Sequence, residues 1–204
     1  AESMNTIGTE LREELPRAWT AAGADPSVRA LVITAAGDRA FCTGMDLKET
    51  VARGHHRPIA QTYEGQQLTP LNCDVWLPTI VAVNGVCAGA GLHFLADADV
   101  VIASTGASFV DTHVNVGQVS AIEPITLLDR IGVGNALRMV VLGRSGRIGP
   151  EDALRISLID EIVEPDVLRA LRSRSTVSLR MPRFLRSRAQ HRAQPTVASL
   201  RKQR

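Results

Sequence analysis

The feature that most constrains this chain is a short apolar run followed by three closely spaced glycines. The run from Thr79 to Val83 is rich in β-branched residues, which is typical of a buried strand, and an apolar helical segment follows over 92–96. Gly85, Gly89 and Gly91 allow a sharp turn and a close backbone approach, and a helix start exposes free N–H groups. The pattern predicts a strand, a turn and a helix whose amides face an anion or oxyanion. A tight turn without any ligand is the alternative.

A second stretch, from Ala40 to Glu49, has the same organisation. Gly44 separates an apolar segment from a predicted helix start, so a second set of backbone amides is expected around Met45. The segment 50–74 contains Gly, Pro and the His55–His56 pair and has only weak helical periodicity, so it is interpreted as a mobile segment with short helices. The two histidines are expected to be solvated.

Strands and helices alternate along the chain rather than forming hairpins. This order predicts an α/β fold with a substantially parallel sheet. The first helix is expected to be capped by Asn5 or Thr6 and to be kinked or ended by Pro16. The predicted strands are 29–34, 79–83, 99–103, 107–110 and 158–163, and the predicted helices are 5–22, 92–96, 123–131, 135–142 and 150–157.

Composition bounds the class of protein. A chain of 204 residues with 45% hydrophobic and 22% charged residues is sufficient for one sizeable globular core. The cysteines, Cys42, Cys73 and Cys87, form no C-x-x-C pair, which favours a reducing compartment, and the cytoplasm is expected. The most apolar window, 80–103, is interrupted by polar residues, so neither a signal peptide nor a membrane span is predicted.

The net charge of +2 conceals two regions of different character. All 21 acidic residues lie in 1–166, whereas 167–204 carries ten arginines, one lysine and no acid. The prediction is a core over 1–166 and an Arg/Ser-rich tail over 167–204 that is disordered or foreign to the fold. Such a tail attracts polyanions non-specifically, but Phe184 is its one aromatic residue, so no specific nucleic-acid recognition is expected.

With both glycine stretches placed, the sequence resembles the crotonase, or enoyl-CoA hydratase/isomerase, superfamily over about residues 3–168. The resemblance implies an α/β fold of repeated β-β-α units with two nearly perpendicular sheets, normally assembled as homo-trimers or hexamers. It also implies an acyl-CoA substrate that itself carries coenzyme A, no separate cofactor and no membrane partner. Since the family has further strands upstream and further helices downstream, truncation at both ends is expected. The matching blocks are 25–34, 40–49, 79–95, 109–117 and 143–163.

The resemblance also implies an oxyanion hole. Its two backbone donors, which hold the thioester oxygen as it becomes an enolate, fall on Met45 and Ala90. Glycines beside them would keep side chains out of the way of the oxyanion. The substrate-binding residues implied by the match are Gly44, Asp46, Lys48, Gly89, Gly91 and Gly117.

The chain departs from the hydratase pattern at the proton-transfer residues. The two glutamates that hydratases use correspond here to His93 and His113, and Glu123 is the preferred nearby carboxylate. Alternatively, His93 is a satisfied buried helical residue, His113 only hydrogen-bonds in a loop, and Glu123 is only a favourable first-turn helix charge. No third ligand is convincingly spaced beside the histidines, so no metal is expected.

Three functions follow from these residues. The leading prediction is an enzyme of the hydratase/isomerase type that stabilises a thioester enolate and moves protons with His93, His113 or Glu123. The alternative within the superfamily is a CoA-thioester or carbon–carbon bond hydrolase with histidine as the base. The third is an inactive truncated homologue.

Overall fold

Helices and short strands alternate through the residues that the computed structural model describes, which are 4–52, 67–120 and 122–173. The strands are β1 (Leu31–Ile33), β2 (Ala40–Cys42), β3 (Thr79–Val83), β4 (Val86–Ala88), β5 (Val100–Ser104), β6 (Ser108–Val110) and β7 (Glu161–Val163). The helices are α1 (Thr9–Ala24), α2 (Leu47–Ala52), α3 (Leu92–Asp97), α4 (Ile122–Leu142), α5 (Pro150–Arg155) and α6 (Pro165–Ser173).

The strands form two parallel sheets that are built from one repeated unit. One sheet has the order β1-β3-β5-β7 and the other has the order β2-β4-β6. In each of three successive units the first strand joins the four-stranded sheet, the second joins the three-stranded sheet, and a helix follows. The predicted parallel α/β fold of repeated β-β-α units is therefore confirmed.

The core lies where the sheets meet α3 and α4. Every residue of β3 is buried, and Val81 pairs in register with Ile33 on one side and with Val101 on the other. Because β3 is flanked by strands on both edges and covered on both faces, a continuous β-branched run fits it. Phe41 and Phe94 close the core with an edge-to-face contact whose ring centroids are 5.9 Å apart.

The region 85–91 is more elaborate than the predicted strand-to-helix turn. A further strand, β4, begins directly after Gly85 and pairs with β2 and β6. A Cβ on Gly85 would lie 2.5 Å from the carbonyl carbon of Arg39, so only glycine allows the chain to cross from one sheet to the other here. Periodicity missed β4 because three residues are too few to show alternation.

The N-terminal helix starts later than predicted. Asn5 has a left-handed backbone, and its side-chain amide donates to the Ala40 carbonyl instead of capping a helix. The start of α1 is capped by a residue distant in sequence, because the Glu49 carboxylate accepts the Thr9 N–H at 2.8 Å. Of the two alternatives predicted for Pro16, an end of the helix is wrong, because Pro16 lies inside α1, which continues to Ala24.

The long helix α4 is divided by Gly132, whose φ of 73° and ψ of 162° are not helical. This break agrees with the two predicted helices, 123–131 and 135–142, and Gly143 ends the second with a φ of 53°. Among the described helices, none combines the length and apolarity that crossing a bilayer requires.

The structure continues as a helix past the predicted domain boundary at residue 166. In α6, Leu168 is 3% exposed, and Arg169 forms an ion pair with Asp38. The first residues of the predicted tail therefore pack on the core, because an apolar side chain is buried there. The remainder of the predicted tail, 174–204, and the His55–His56 pair lie outside the described residues.

Candidate active site

The first glycine loop turns the backbone amide of Met45 away from the adjacent segment around Ile7. The Ile7 N–H donates to the Gly44 carbonyl at 2.8 Å, and the Asp46 N–H donates to the Ile7 carbonyl at 3.1 Å. In a trans peptide the N–H points opposite to the preceding C=O, so the Met45 N–H faces away from Ile7. Gly44 has a φ of 90°, which glycine adopts readily.

The second glycine loop presents the Ala90 amide in the same way. The Leu92 N–H donates to the carbonyls of Gly89 and Ala90, so the peptide between Gly89 and Ala90 directs its N–H out of the start of α3. The loops are in close contact, since a Cβ on Gly44 would lie 3.5 Å from the Ala90 nitrogen.

Three side chains converge beside the second loop. Glu123, from the first turn of α4, is 6% exposed, and its Oε1 lies 3.3 Å from His93 Nε2 and 3.5 Å from His113 Nε2. His93 Nε2 is buried and aimed too obliquely for a hydrogen bond to Glu123 or to any other described residue. His113 borders the loop, because its Cε1 would lie 3.9 Å from a Cβ on Gly89. These contacts form a single cluster next to the second glycine loop.

Asp111 fixes His113 from the opposite side. Its Oδ1 accepts the His113 backbone N–H at 2.9 Å and lies 2.8 Å from His113 Nδ1, while Oδ2 accepts the Ser120 hydroxyl. Asp111 is 1% exposed, whereas the His113 side chain is 21% exposed. His113 is therefore held between two carboxylates and is the most open side chain of the set.

The charges of these groups reinforce one another. Burial alone raises the pKa of Asp111, but hydrogen bonds from His113 and Ser120 outweigh it and hold this pKa below its usual range. The hydrogen bond to Asp111 raises the pKa of His113 more than burial lowers it, and the Glu123 charge adds to the effect. The balance favours ionised Asp111 beside protonated His113.

Glu123 also stays ionised. Burial raises its pKa, but the approach of His93 and the charge of His113 outweigh burial, so the pKa lies below its usual range. Because the His93 contact is poorly aligned, the charge of His113 is the firmer cause. The neighbouring His113 therefore favours the ionised form of this buried carboxylate.

The other sequence-predicted residues lie in structural positions. Asp46 accepts the Glu49 N–H at 3.1 Å and the Thr6 hydroxyl at 3.3 Å, at the start of α2, and Lys48 is exposed on this helix. Gly117 ends the turn that follows His113, with a φ of 70° and open space within 4 Å of the position that a Cβ would take. Their role toward substrate stays a prediction.

Gly91 packs the second loop against β2. A Cβ there would lie 2.7 Å from the Cys42 carbonyl oxygen, so the loop could not approach so closely with any larger residue. The Cys42 thiol is buried, and burial raises its pKa to about 11. It is therefore a packing residue at neutral pH.

Sequence reasoning left Asp111 without a role and did not single out Ser120. The Asp111-x-His113 spacing carried a signal, because an aspartate often accepts the backbone N–H two residues later. Within the described ranges, no three His, Cys, Asp or Glu side chains are arranged to hold a metal ion. Two surface concavities lie away from the cluster, one beside Asp38 and Arg169 and one beside Arg138 and Arg155.

Parallel β-β-α units, paired glycine loops and a buried acid–base cluster place this molecule among the crotonase-fold proteins. The family model described as enoyl-CoA hydratase/isomerase matches residues 1–194, and the chain belongs to this family. The match extends past residue 168, where the resemblance noted from the sequence ends.

Relatives of the chain carry hydratase names. It is 34% identical over 167 residues to an (E)-benzylidenesuccinyl-CoA hydratase of Thauera aromatica, covering 82% of this chain and 64% of that protein. It is 36% identical over 167 residues to a probable enoyl-CoA hydratase of Rhodobacter capsulatus, covering 81% and 63%. The chain thus spans slightly less than two thirds of the length of these relatives.

The fold matches solved structures of the same family. The crystal structure of an enoyl-CoA hydratase/isomerase from Mycobacterium paratuberculosis superposes with a TM-score of 0.74 at 36% identity, covering 83% of this chain and 66% of the other. The crystal structure of an enoyl-CoA hydratase from Mycobacterium smegmatis gives a TM-score of 0.70 at 31% identity, covering 94% and 80%.

Proposed function

We propose that this chain acts on an acyl-CoA thioester by hydratase or isomerase chemistry, with the Met45 and Ala90 amides as its oxyanion hole. The observation that carries the proposal is the close approach of Gly44 to the Ala90 nitrogen, with both free amides turned out of their loops. Preorganised N–H donors of this kind stabilise an oxyanion as its charge develops. The reacting carbonyl would lie between the loops, next to His113.

The cluster supplies both proton-transfer roles that hydration needs. Glu123, held ionised, accepts a proton from water as the water oxygen bonds to C3 of a 2-enoyl thioester. The negative charge moves to the thioester oxygen, and protonated His113 then delivers a proton to C2. The 3.5 Å contact between Glu123 and His113 allows the proton to return to the imidazole, which restores the starting state.

For isomerisation the same groups would move a proton between two carbons of the acyl chain, so no water is consumed. The substrate itself supplies coenzyme A, and the proton transfers in both reactions use side chains of the protein, without a separate cofactor. We place the reaction in the cytoplasm, in keeping with the three free thiols at Cys42, Cys73 and Cys87.

Assembly into homo-trimers or hexamers is part of the proposal. It is supported by an apolar stripe on the second half of α4, where Val133, Leu137 and Val141 are spaced four residues apart and are 58–70% exposed. Light scattering of the purified chain would measure the assembled mass.

A hydrolase is the second candidate, because a buried aspartate that accepts the Nδ1–H of a histidine is also how hydrolases orient a general base. The products separate these reactions. Hydration adds one water and keeps the thioester, isomerisation leaves the mass unchanged, and thioester hydrolysis releases a thiol.

The experiment is incubation of the purified full chain with a 2-enoyl-CoA, followed by mass spectrometry and thiol titration. We expect a product that contains added water and an intact thioester. Absence of any turnover across short, long and aromatic acyl groups would favour the inactive homologue.

A further inference from the structure

The Asp111 side chain has no role in the reaction proposed above, yet it contacts both His113 and Ser120. It is 1% exposed, and its two oxygens accept hydrogen bonds from the backbone and ring of His113 and from Ser120. The His113 ring lies between Asp111 and Glu123. Asp111 therefore acts through His113.

We propose that Asp111 is a positioning residue that holds the His113 ring with Nδ1–H donated to its carboxylate and Nε2 turned toward Glu123, with Ser120 fixing the carboxylate in turn. This inference rests on the proposed function for its catalytic consequence but not for the ring state. A histidine with Nδ1 bonded to a carboxylate has one defined orientation, and its remaining nitrogen is presented to the reaction.

The backbone contact makes the arrangement rigid. Oδ1 accepts the His113 N–H as well as the ring N–H, so the carboxylate binds both the main chain and the side chain of one residue. Asp111 directly follows β6, whose register with β4 is set by the pairing of Val110 with Ala88. The pairing of β6 with β4 thus fixes Asp111, and Asp111 in turn fixes the position of His113 relative to Gly89.

The groups that face His113 also define its charge. Asp111 lies at Nδ1 and Glu123 lies at Nε2, and His93 Nε2 contacts the same Glu123 oxygen. Two carboxylates around one imidazole favour the imidazolium form, which is the proton donor in hydration. Loss of the Asp111 charge would leave His113 neutral over more of the working pH range.

The test compares Asp111→Asn, Ser120→Ala and the control Asp99→Asn. Asp99 is also a buried carboxylate, and it accepts the Thr79 N–H at 2.8 Å at the start of β5, apart from the cluster. Asp111→Asn retains shape but removes the charge, so we expect kcat to fall roughly a hundredfold with KM changed little. Ser120→Ala should give a smaller fall in the same direction.

The state of the His113 ring can also be measured without turnover, from the NMR signals of its two ring nitrogens. The signals that disappear in His113→Gln belong to this residue. In the wild type we expect a protonated Nδ1 and a titration above the ordinary histidine value. Asp111→Asn should shift this titration to lower pH, and Asp99→Asn should leave it in place. An unchanged His113 titration and kcat in folded Asp111→Asn would overturn the inference, whereas a wild type with the expected His113 spectrum and no turnover would overturn only the proposed function.

Discussion

The two glycine loops and the acid–base cluster form adjacent parts of the candidate site, yet they are built differently. The loops offer main-chain amides, and only a proline at Met45 or Ala90 would remove one of these N–H groups. The approach of the two loops depends instead on the space left by Gly44 and Gly91. The cluster consists of side chains from three elements, so it depends on charge. Volume changes should therefore disable the loops, and charge changes should disable the cluster.

The largest effect is expected from Gly44→Ala. Its new methyl group would lie 3.3 Å from the Ala88 carbonyl oxygen and 3.5 Å from the Ala90 nitrogen, which is one of the two proposed oxyanion donors. Loss of an oxyanion donor typically reduces kcat by roughly 10²–10³-fold, and we expect a fall at the upper end of this range. Turnover of a 2-enoyl-CoA measures it.

Gly132→Ala is the matched control for Gly44→Ala. Gly132 has a φ of 73°, so a side chain there is strained as it is at Gly44, but nothing lies within 4 Å of the methyl group. It should lower the melting temperature and retain kcat. If Gly44→Ala, folded by circular dichroism, retained wild-type kcat as well, the loops would not bind the oxyanion.

The next largest effect is expected from Glu123→Gln, which preserves volume and removes charge. Both imidazoles then lose the negative charge beside them, and the site loses a proton acceptor, so we expect kcat to fall about a hundredfold. The effect should exceed any change in KM, since the loops are untouched.

Glu151→Gln controls for a simple helix-charge effect in Glu123→Gln. Glu151 also lies in the first turn of a helix, α5, but is exposed. The same loss of interaction with the helix dipole should leave kcat within about twofold. Equal kcat values for the two variants would assign Glu123 to helix stabilisation alone.

The smallest effect concerns stability and pH. The folded-state pKa of His113 is raised above the unfolded value of about 6.5, so its contribution is fully present below that value. It is lost as pH rises through the folded pKa. As pH rises from about 6.5 through the raised folded-state pKa, wild-type stability should therefore decline more than that of His113→Gln, as measured by urea unfolding at each pH. Parallel pH profiles for the two proteins would contradict this linkage.

Local sequence predicts the elements that local forces determine. The strand at Thr79–Val83 is predicted with its observed bounds, because a β-branched run is buried whichever strands flank it. The break near Gly132 is likewise expected from the two predicted helices. The strand Val86–Ala88 is not predicted, since its pairing with β2 and β6 depends on residues distant in sequence.

The same division applies to the site. Glycine spacing and the family resemblance predict Met45 and Ala90 as the oxyanion donors, and that role stays a prediction. Both amides turn out of their loops in the folded chain. The sequence predicts His93, His113 and Glu123 only as a loose set. Their joint contact, with one Glu123 oxygen within 3.5 Å of both imidazoles, could not be predicted because it needs three elements to pack together.

The parallel α/β architecture and the positions of the glycine loops follow from the amino-acid sequence alone, because backbone freedom and burial periodicity are properties of short segments. Which charges meet depends on the tertiary fold. Asp111 becomes the partner of His113 through the turn after β6, and Glu123 reaches the same ring from α4. The energy of an electrostatic interaction depends on the distance between the charges in space, and the folded chain alone sets those distances.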